Sequence, residues 1–129
     1  MIVLKPEFGE KLAELAAAYD GFVPTGLIGD LTGYAAFDGE KCVGYLLFRI
    51  SAAPDVTRLS FAAEEIGDGL LKAAAEFSAR IDAGRLTCSD LRDTKVLAGV
   101  GMTEESGKDA RWGMNPAEVK HNCRNCPFR

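Results

Sequence analysis

A long amphipathic segment at residues 64–83 constrains the fold more than any other feature of this sequence. Its apolar side chains recur at steps of three and four residues, which places them on one face of a helix: Ile66, Leu70, Ala74, Phe77 and Ile81. Glu64 and Glu65 lie in the predicted first turn, where the helix dipole favours acidic groups, and Gly84 is the predicted C-terminal cap. Strand-like segments precede and follow this helix, so we expect it to connect two parallel neighbours of one sheet.

Three strands are predicted ahead of the long helix. Residues 34–37 and 41–51 form a hairpin, because Asp38-Gly39 between them favours a tight turn. The second strand is nearly continuously apolar in its middle, which is typical of a central strand. Residues 56–62 form a third, antiparallel strand with alternating faces. One of these faces holds Val56, Arg58 and Ser60.

Shorter elements are predicted at the two ends of the chain. Ile2–Leu4 forms a strand that stops at Pro6, and a helix then runs to Asp20-Gly21. That helix presents one apolar face: Phe8, Leu12, Leu15 and Tyr19. The chain closes with a strand at 85–89, a helix from Leu91 to Val100, and a hairpin of residues 102–106 and 111–114. This order predicts an α/β (α+β layered) domain over residues 1–117, with a mixed, mainly antiparallel central sheet flanked by helices, and a tail at residues 118–129.

Composition and charge exclude several classes of protein. The 129 residues are 26% charged with a formal net charge of −4, which argues against nonspecific binding of nucleic acid. No apolar run approaches the ~18–20 residues of a membrane span, so no membrane partner is expected. The first residues lack the basic start and apolar core of a signal peptide, so we expect a cytoplasmic protein with reduced cysteines.

Two short patches carry a resemblance to a known family. The run Ile66-Gly67-Asp68-Gly69-Leu70-Leu71 resembles the glycine-rich start of the long helix in the GNAT acetyltransferase superfamily. The segment from Asp90 to Gly101-Met102 resembles that family's stretch from an asparagine, through a helix bearing a tyrosine, to a glycine-phenylalanine pair. With the order of elements, the resemblance extends over nearly the whole chain and implies a GNAT-like sheet.

The resemblance also implies a cofactor and where it binds. In that family the fourth and fifth strands diverge, and the pantetheine arm of acetyl-CoA lies between them. The residues expected to face this arm are Phe61, Ala62 and Ala63. The diphosphate would lie on backbone amides at the start of the long helix, which carry unpaired donors and a partial positive charge. The residues expected there are Ile66, Gly67, Asp68 and Gly69.

Four positions depart from the family's pattern. Ala62 and Ala63 stand where the family has Arg or Gln followed by Gly, and Glu65 replaces another glycine. Glu64 and Glu65 would each oppose a diphosphate by on the order of 1 kcal/mol at 4 Å in water, or they act only as ordinary first-turn helix stabilisers. Leu97 occupies the place of the family's tyrosine general acid, and leucine cannot protonate a leaving thiolate.

Two carboxylates are candidates for the general base that an attacking amine requires. Asp90 lies at the end of the fifth predicted strand, and Glu64 lies at the start of the long helix. Asp90 has the alternative role of capping the helix that follows it. If both acids border the cleft, they would suit a cationic amine.

The C-terminal tail concentrates metal-binding residue types. His121, Cys123 and Cys126 include a Cys-x-x-Cys pair whose thiolates can reach one tetrahedral metal ion such as zinc. A fourth ligand would come from Cys88, Cys42, water or a second subunit. A single pair of this spacing is weak evidence, so a redox pair and a tail without special chemistry stay open.

We predict that the protein transfers an acetyl group from acetyl-CoA to a small-molecule amine, mainly by positioning the two reactants. The first alternative is a non-catalytic binding module with the same fold. The second is a metal- or redox-sensing protein that acts through the tail. A homodimer formed through the tail also stays open.

Overall fold

The computed structural model describes residues 1–105 and 110–119. Its strands are β1 (Ile2–Phe8), β2 (Thr32–Asp38), β3 (Lys41–Arg49), β4 (Asp55–Phe61), β5 (Leu86–Cys88), β6 (Thr103–Glu105) and β7 (Arg111–Met114). Its α-helices are α1 (Gly9–Asp20), α2 (Glu64–Arg80) and α3 (Thr94–Val100), and short 3₁₀ turns lie at Ile28–Asp30 and Pro116–Glu118.

The strands described form one seven-stranded sheet in the order β1-β2-β3-β4-β5-β7-β6. β4 and β5 are parallel neighbours joined through α2, and the other described pairs of neighbours are antiparallel. The predicted fold class, a mixed and mainly antiparallel sheet flanked by helices, is therefore confirmed. None of the helices in the described ranges is both long enough and apolar enough to cross a membrane.

Helices cover both faces of the sheet and bury two apolar clusters. On one face, α2 and α3 pack on the strands, and Leu70, Leu71 and Leu97 are fully buried there. On the other face, α1 packs Leu12 and Ala16 against Tyr45 and Leu47 of β3. Each large aliphatic side chain buried in this way contributes roughly 1.5–3 kcal/mol to the free energy of unfolding. The cluster on the α2 face contains more of these side chains than the cluster on the α1 face, so it supplies most of the core.

A one-residue bulge interrupts β4 at Thr57. Arg58 pairs with Leu47 and Val56 pairs with Phe48, so Thr57 has no counterpart on β3. Because one extra residue reverses which face each later side chain takes, Val56 and Leu59 share the α2 face. Arg58 turns to the opposite face. The predicted grouping of Val56 with Arg58 and Ser60 is therefore wrong.

Two predicted boundaries at the start of the chain also differ from the structure. β1 continues through Pro6, which pairs with Tyr34, because an edge strand needs no backbone donor on its free side. Phe8 precedes α1 and is 60% exposed, so it does not belong to the buried face of that helix.

The long helix ends earlier than its periodicity predicts. α2 stops at Arg80, and the left-handed backbone that turns the chain lies at Asp82, with φ of 57°. Gly84 is therefore not the cap, and Ile81 is 44% exposed instead of lying on the buried face. Asp82 is one of the residue types that tolerate this conformation, which is why glycine is not required there.

Gly33 of β2 and Gly99 of α3 make a matched pair for testing this packing. A methyl group on Gly33 would collide with the backbone carbonyl of Leu46, whereas one on Gly99 would meet nothing within 4 Å. We expect Gly33→Ala to lower the free energy of unfolding by about 2 kcal/mol or more. Gly99→Ala should raise it by roughly 0.5–1 kcal/mol, because alanine favours helix.

Urea unfolding followed by circular dichroism measures both effects. Equal midpoints for the two variants would contradict the described contact between β2 and β3.

Candidate functional site

The sheet opens between β4 and β5 soon after these strands meet. Their described pairing is limited to Asp55 with Thr87 and Val56 with Cys88. The buried carboxylate of Asp55 fixes this closed end, since it accepts hydrogen bonds from the hydroxyls of Thr87 at 2.6 Å and Ser89 at 2.8 Å. Beyond Val56 the two strands diverge, so the edge of β4 faces an opening.

Two side chains from the segment after β5 reach across this opening to Leu59. The backbone N–H of Leu59 donates to Oδ2 of Asp90 at 2.8 Å, and a guanidinium nitrogen of Arg92 donates to the Leu59 carbonyl at 2.8 Å. Arg92 also donates to both carboxylate oxygens of Asp90, at 2.9 and 2.8 Å. We call Asp90, Arg92 and the Leu59 backbone the clasp.

The clasp settles the local role of Asp90. The helix cap predicted for it is wrong, because Asp93 caps α3 by accepting from the Val96 amide at 3.4 Å. Burial raises the pKa of Asp90, but hydrogen bonds from Arg92 and Leu59 outweigh it and hold that pKa below its ordinary value. A carboxylate with a lowered pKa is a weak proton acceptor, so the closed clasp is unfavourable to Asp90 as a general base.

The predicted cofactor residues lie together where β4 passes into α2. The Ala62 amide donates to the Val43 carbonyl at 3.0 Å, and the Ala63 carbonyl accepts from the amides of Ile66 at 3.0 Å and Gly67 at 3.3 Å. Ala63 is the N-cap and provides no side-chain cap. The amides of Glu64 and Glu65, the first two residues of α2, therefore have no carbonyl acceptor within the helix and point out of its end.

Lysines neutralise two of the acidic groups around this helix start. Nζ of Lys95 lies 3.1 Å from Oε1 of Glu64, and Nζ of Lys72 lies 2.8 Å from Oδ2 of Asp68. The second pair has the i, i+4 spacing that the sequence shows directly. The first joins α2 to α3, and the sequence analysis missed Lys95 because its partner lies 31 positions away.

Gly67 has a packing role at this junction. A methyl group on it would lie 2.7 Å from the Phe61 ring, so the ring rests directly on the helix backbone. Gly44 of β3 permits a similar approach, since a methyl group there would lie 3.0 Å from Ile66. The two glycines let the end of β4 and the start of α2 sit close together, which fixes the mouth of the opening.

A second polar cluster lies on the α1 face of the same strands. The carboxylate of Asp20 accepts from the Tyr45 hydroxyl at 2.8 Å, the Ser60 hydroxyl at 2.8 Å and the Arg58 guanidinium at 3.0 Å. Arg58 also donates to the Tyr45 hydroxyl at 3.2 Å and lies over the ring of Phe22 at 4.2 Å. We call Asp20, Tyr45, Arg58 and Ser60 the α1-face cluster. Its hydrogen-bonded pairs lie 13 to 40 residues apart, so the sequence gives no sign of it.

Hydrogen bonding in the α1-face cluster fixes its charge states. Burial raises the pKa of Asp20, but the bonds donated by Tyr45, Ser60 and Arg58 outweigh it and leave that pKa below its ordinary value. Burial also raises the pKa of Tyr45 to about 12. At neutral pH the cluster therefore holds a charged aspartate and a protonated tyrosine, which anchor the end of α1 to the sheet.

A cavity of about 930 Å³ lies beside this cluster, under the loop that connects α1 to β2. Apolar side chains including Phe22, Leu31 and Leu47 line it, and the described residues add one acid, Asp30, and one base, Arg49. Its volume falls in the range of small-molecule sites. Phe22 connects it to the α1-face cluster through its contact with Arg58.

The described residues give no support to the predicted metal chemistry. Burial raises the pKa of the Cys88 thiol to about 12, and burial also raises the pKa of Cys42. Residues 1–105 and 110–119 contain no group of three or more side chains arranged to hold a metal ion. His121, Cys123 and Cys126 lie outside the described residues, so the zinc site there stays a prediction.

Solved acetyltransferases have the same fold as this chain. The ribosomal-protein-S18-alanine N-acetyltransferase from Escherichia coli is 11% identical and has a TM-score of 0.66, with 95% of this chain and 98% of that one covered. The IAA acetyltransferase from Bacillus cereus is 13% identical, with a TM-score of 0.64 and coverage of 89% and 99%. The PaiA N-acetyltransferase from Thermoplasma acidophilum, solved with coenzyme A, is 18% identical, with a TM-score of 0.50 and coverage of 67% and 61%.

At these identities the likeness establishes the fold, which is that of the GNAT N-acetyltransferases. The sequence matches no protein-family model and no curated protein. The resemblance found in the glycine-rich patch and the element order is thus confirmed at the level of the fold.

The lowered pKa of Asp20 predicts a specific sensitivity to acid. Because folding favours its charged form, its stabilisation is complete above the unfolded pKa of about 3.9 and is lost as pH falls through the folded pKa. Asp20→Asn should therefore be less stable than the wild type at pH 7 but lose less stability between pH 7 and pH 3.

Urea midpoints at the two pH values measure this difference. Ser60→Ala, which removes one donor to Asp20, should give an intermediate result. If the wild type and Asp20→Asn lose the same free energy of unfolding between pH 7 and pH 3, the charge of Asp20 does not stabilise the fold as described.

Proposed function

We propose that this protein is an acyl-CoA-dependent N-acyltransferase that transfers an acetyl group from acetyl-CoA to a small amine. One observation carries the proposal: β4 and β5 diverge directly beside the open amide end of α2, in a chain with the GNAT fold. One neighbour with this fold was solved with coenzyme A, which supports the choice of cofactor.

The opening offers groups suited to the two polar parts of such a cofactor. The edge of β4 from Leu59 to Phe61 would pair with the amides of the pantetheine arm, since backbone groups two residues apart face the same side of a strand. Of the residues predicted there, Phe61 is kept, whereas the Ala62 amide and the Ala63 carbonyl already have backbone partners. The amides of Glu64 and Glu65 at the start of α2 would bind the diphosphate, aided by the cation of Lys95. They replace the residues predicted from Ile66 to Gly69, because the Ile66 and Gly67 amides already donate to the Ala63 carbonyl. The Glu64–Lys95 pair offsets part of the repulsion expected from the acids of the first turn.

The chemistry assigned to the protein is mostly positioning. Acetyl-CoA would supply the activated thioester, and the chain would hold the amine beside it in a reactive orientation. Leu97 is fully buried, so its position contributes packing and no proton. Neither predicted base fits this arrangement: Glu64 would lie at the diphosphate, at the far end of the pantetheine arm from the thioester, and Asp90 is held in the clasp, so the proton of the amine would pass to water.

The 930 Å³ cavity is our candidate site for the amine acceptor. The accessible surface of its lining is more polar than apolar, which suits a polar amine, and Asp30 offers a carboxylate for an ammonium group. This location replaces the earlier expectation that Glu64 and Asp90 attract a cationic amine, because both carboxylates already have basic partners.

A non-catalytic binding module with this fold is the second candidate function. The buried leucine at position 97 and the closed clasp both favour it, since neither provides chemistry in the opening. Acetyl-CoA binding without transfer to any amine would select this alternative. The predicted role of His121, Cys123 and Cys126 is tested separately, by the zinc content of protein purified without a tag.

Acetyl-CoA titration of Glu65 variants tests the proposed cofactor site. Calorimetry with the wild type should give micromolar affinity, and Glu65→Gln should bind on the order of fivefold tighter, because one like charge is removed near the diphosphate. Glu76→Gln changes the same chemistry on an exposed turn of the same helix and should leave affinity unchanged. Absence of binding up to millimolar acetyl-CoA, by the wild type and by Asp90→Ala alike, would reject the proposal.

Substitution of Asp30 tests the acceptor cavity. With an amine found by a turnover screen, Asp30→Asn should raise KM by about tenfold and leave kcat nearly unchanged, because it removes binding present in both ground and transition states. Asp82→Asn, at the end of α2, is the matched control. A fall in kcat at constant KM would place the acceptor elsewhere.

A further inference from the structure

We propose that the clasp is a gate that competes with the thioester cofactor for the edge of β4. The inference rests on the proposed function, since it assumes an amide-bearing arm in the opening. It concerns three groups with short contacts: the Leu59 backbone, the Asp90 carboxylate and the Arg92 guanidinium. In the closed arrangement described here, protein side chains already hold the position that the arm requires.

The competition follows from the number of bonds that Leu59 can make. Its single N–H is used by Asp90 at 2.8 Å, and its carbonyl accepts from Arg92 at 2.8 Å. A backbone N–H makes one strong hydrogen bond, so an arm that adds to β4 at Leu59 has to displace Asp90. Part of the binding energy of the arm is then used to open the clasp, which weakens the apparent affinity.

The local structure allows the clasp to open as a unit. Asp90 and Arg92 are two residues apart, so their ion pair can stay intact when both side chains leave Leu59. α3 is capped independently by Asp93, so opening does not remove the cap of that helix. The Arg92 side chain is 49% exposed and can move into solvent without breaking the core, and the Asp90 side chain, 8% exposed in the closed clasp, would gain solvent contact as it leaves Leu59.

The two hydrogen bonds that Asp90 and Arg92 make to the Leu59 backbone are strong enough to compete with those of a bound arm. Asp90 and Arg92 are both charged, and charge-assisted hydrogen bonds are stronger than those between neutral groups. Two such bonds hold the edge of β4 until an arm with its own amides replaces them. Removal of either side chain should therefore strengthen cofactor binding, whereas loss of a side chain that contacts the cofactor would weaken it.

Calorimetric titration with acetyl-CoA tests whether removal of a clasp side chain strengthens or weakens binding. Arg92→Met and Asp90→Ala should each bind at least tenfold tighter than the wild type. Arg80→Met is the matched control, because Arg80 is exposed at the opposite end of α2, and its affinity should equal that of the wild type. Thermal unfolding of each variant verifies that it is folded.

The outcomes separate the gate from the proposed function. Equal or weaker binding by both clasp variants, with a wild type that binds, overturns the gate and leaves the acyltransferase proposal standing. No binding by any of the four proteins overturns both. Binding by the clasp variants alone supports the gate in its strongest form.

Hydrogen exchange at the Leu59 amide provides a second test that does not depend on affinity. In the wild type this amide should be protected with and without acetyl-CoA, because one acceptor replaces another. In Asp90→Ala it should exchange at least tenfold faster when free and regain protection when acetyl-CoA is added. Unchanged protection in free Asp90→Ala would show that the clasp does not hold Leu59, and the proposal would fail.

Discussion

The extra residue at Thr57 is the constraint on which the rest of the site depends. The Val56 carbonyl accepts from the Ser89 amide, so the backbone groups of Val56 face β5. In a regular strand, the next residue whose backbone groups face β5 would be Arg58. The bulge shifts the pattern by one, so Leu59 presents its backbone to the opening. The same shift sends the Arg58 side chain to the α1 face, where it meets Asp20.

Ion pairs join acids and bases beside the opening and on the α1 face of β4. Asp20 is paired with Arg58, Asp90 with Arg92, and Glu64 with Lys95. In the first and third pairs, the fold brings together an acid and a base that are distant in the sequence, whereas Asp90 and Arg92 are two residues apart. The cleft is therefore close to neutral along β4, although the whole chain carries a formal charge of −4. The Glu64–Lys95 pair offsets part of the repulsion that an anionic cofactor would meet at the start of α2, and the charge of Glu65 is not offset in this way.

The sequence predicted those parts of the fold that depend on local periodicity. The long helix, the hairpin at Asp38-Gly39 and the central strand β3 were expected from spacing and turn chemistry, and the structure contains them. The bulge was not predictable, because it is defined by the pairing of β4 with another strand. The clasp was missed for a related reason: Asp90 and Arg92 have the spacing of ordinary loop residues, and their shared partner is backbone, which carries no sequence signal.

The position of Pro6 has a consequence for association between molecules. β1 is a terminal strand of the sheet, and an exposed strand edge can pair with a strand of another chain, which is a common start of aggregation. Proline has no backbone N–H and fixes its own φ angle, so an incoming strand would lose a hydrogen bond in the middle of β1. The residue that sequence analysis expected to end the first strand instead lets that strand complete the sheet and opposes its growth by a further strand.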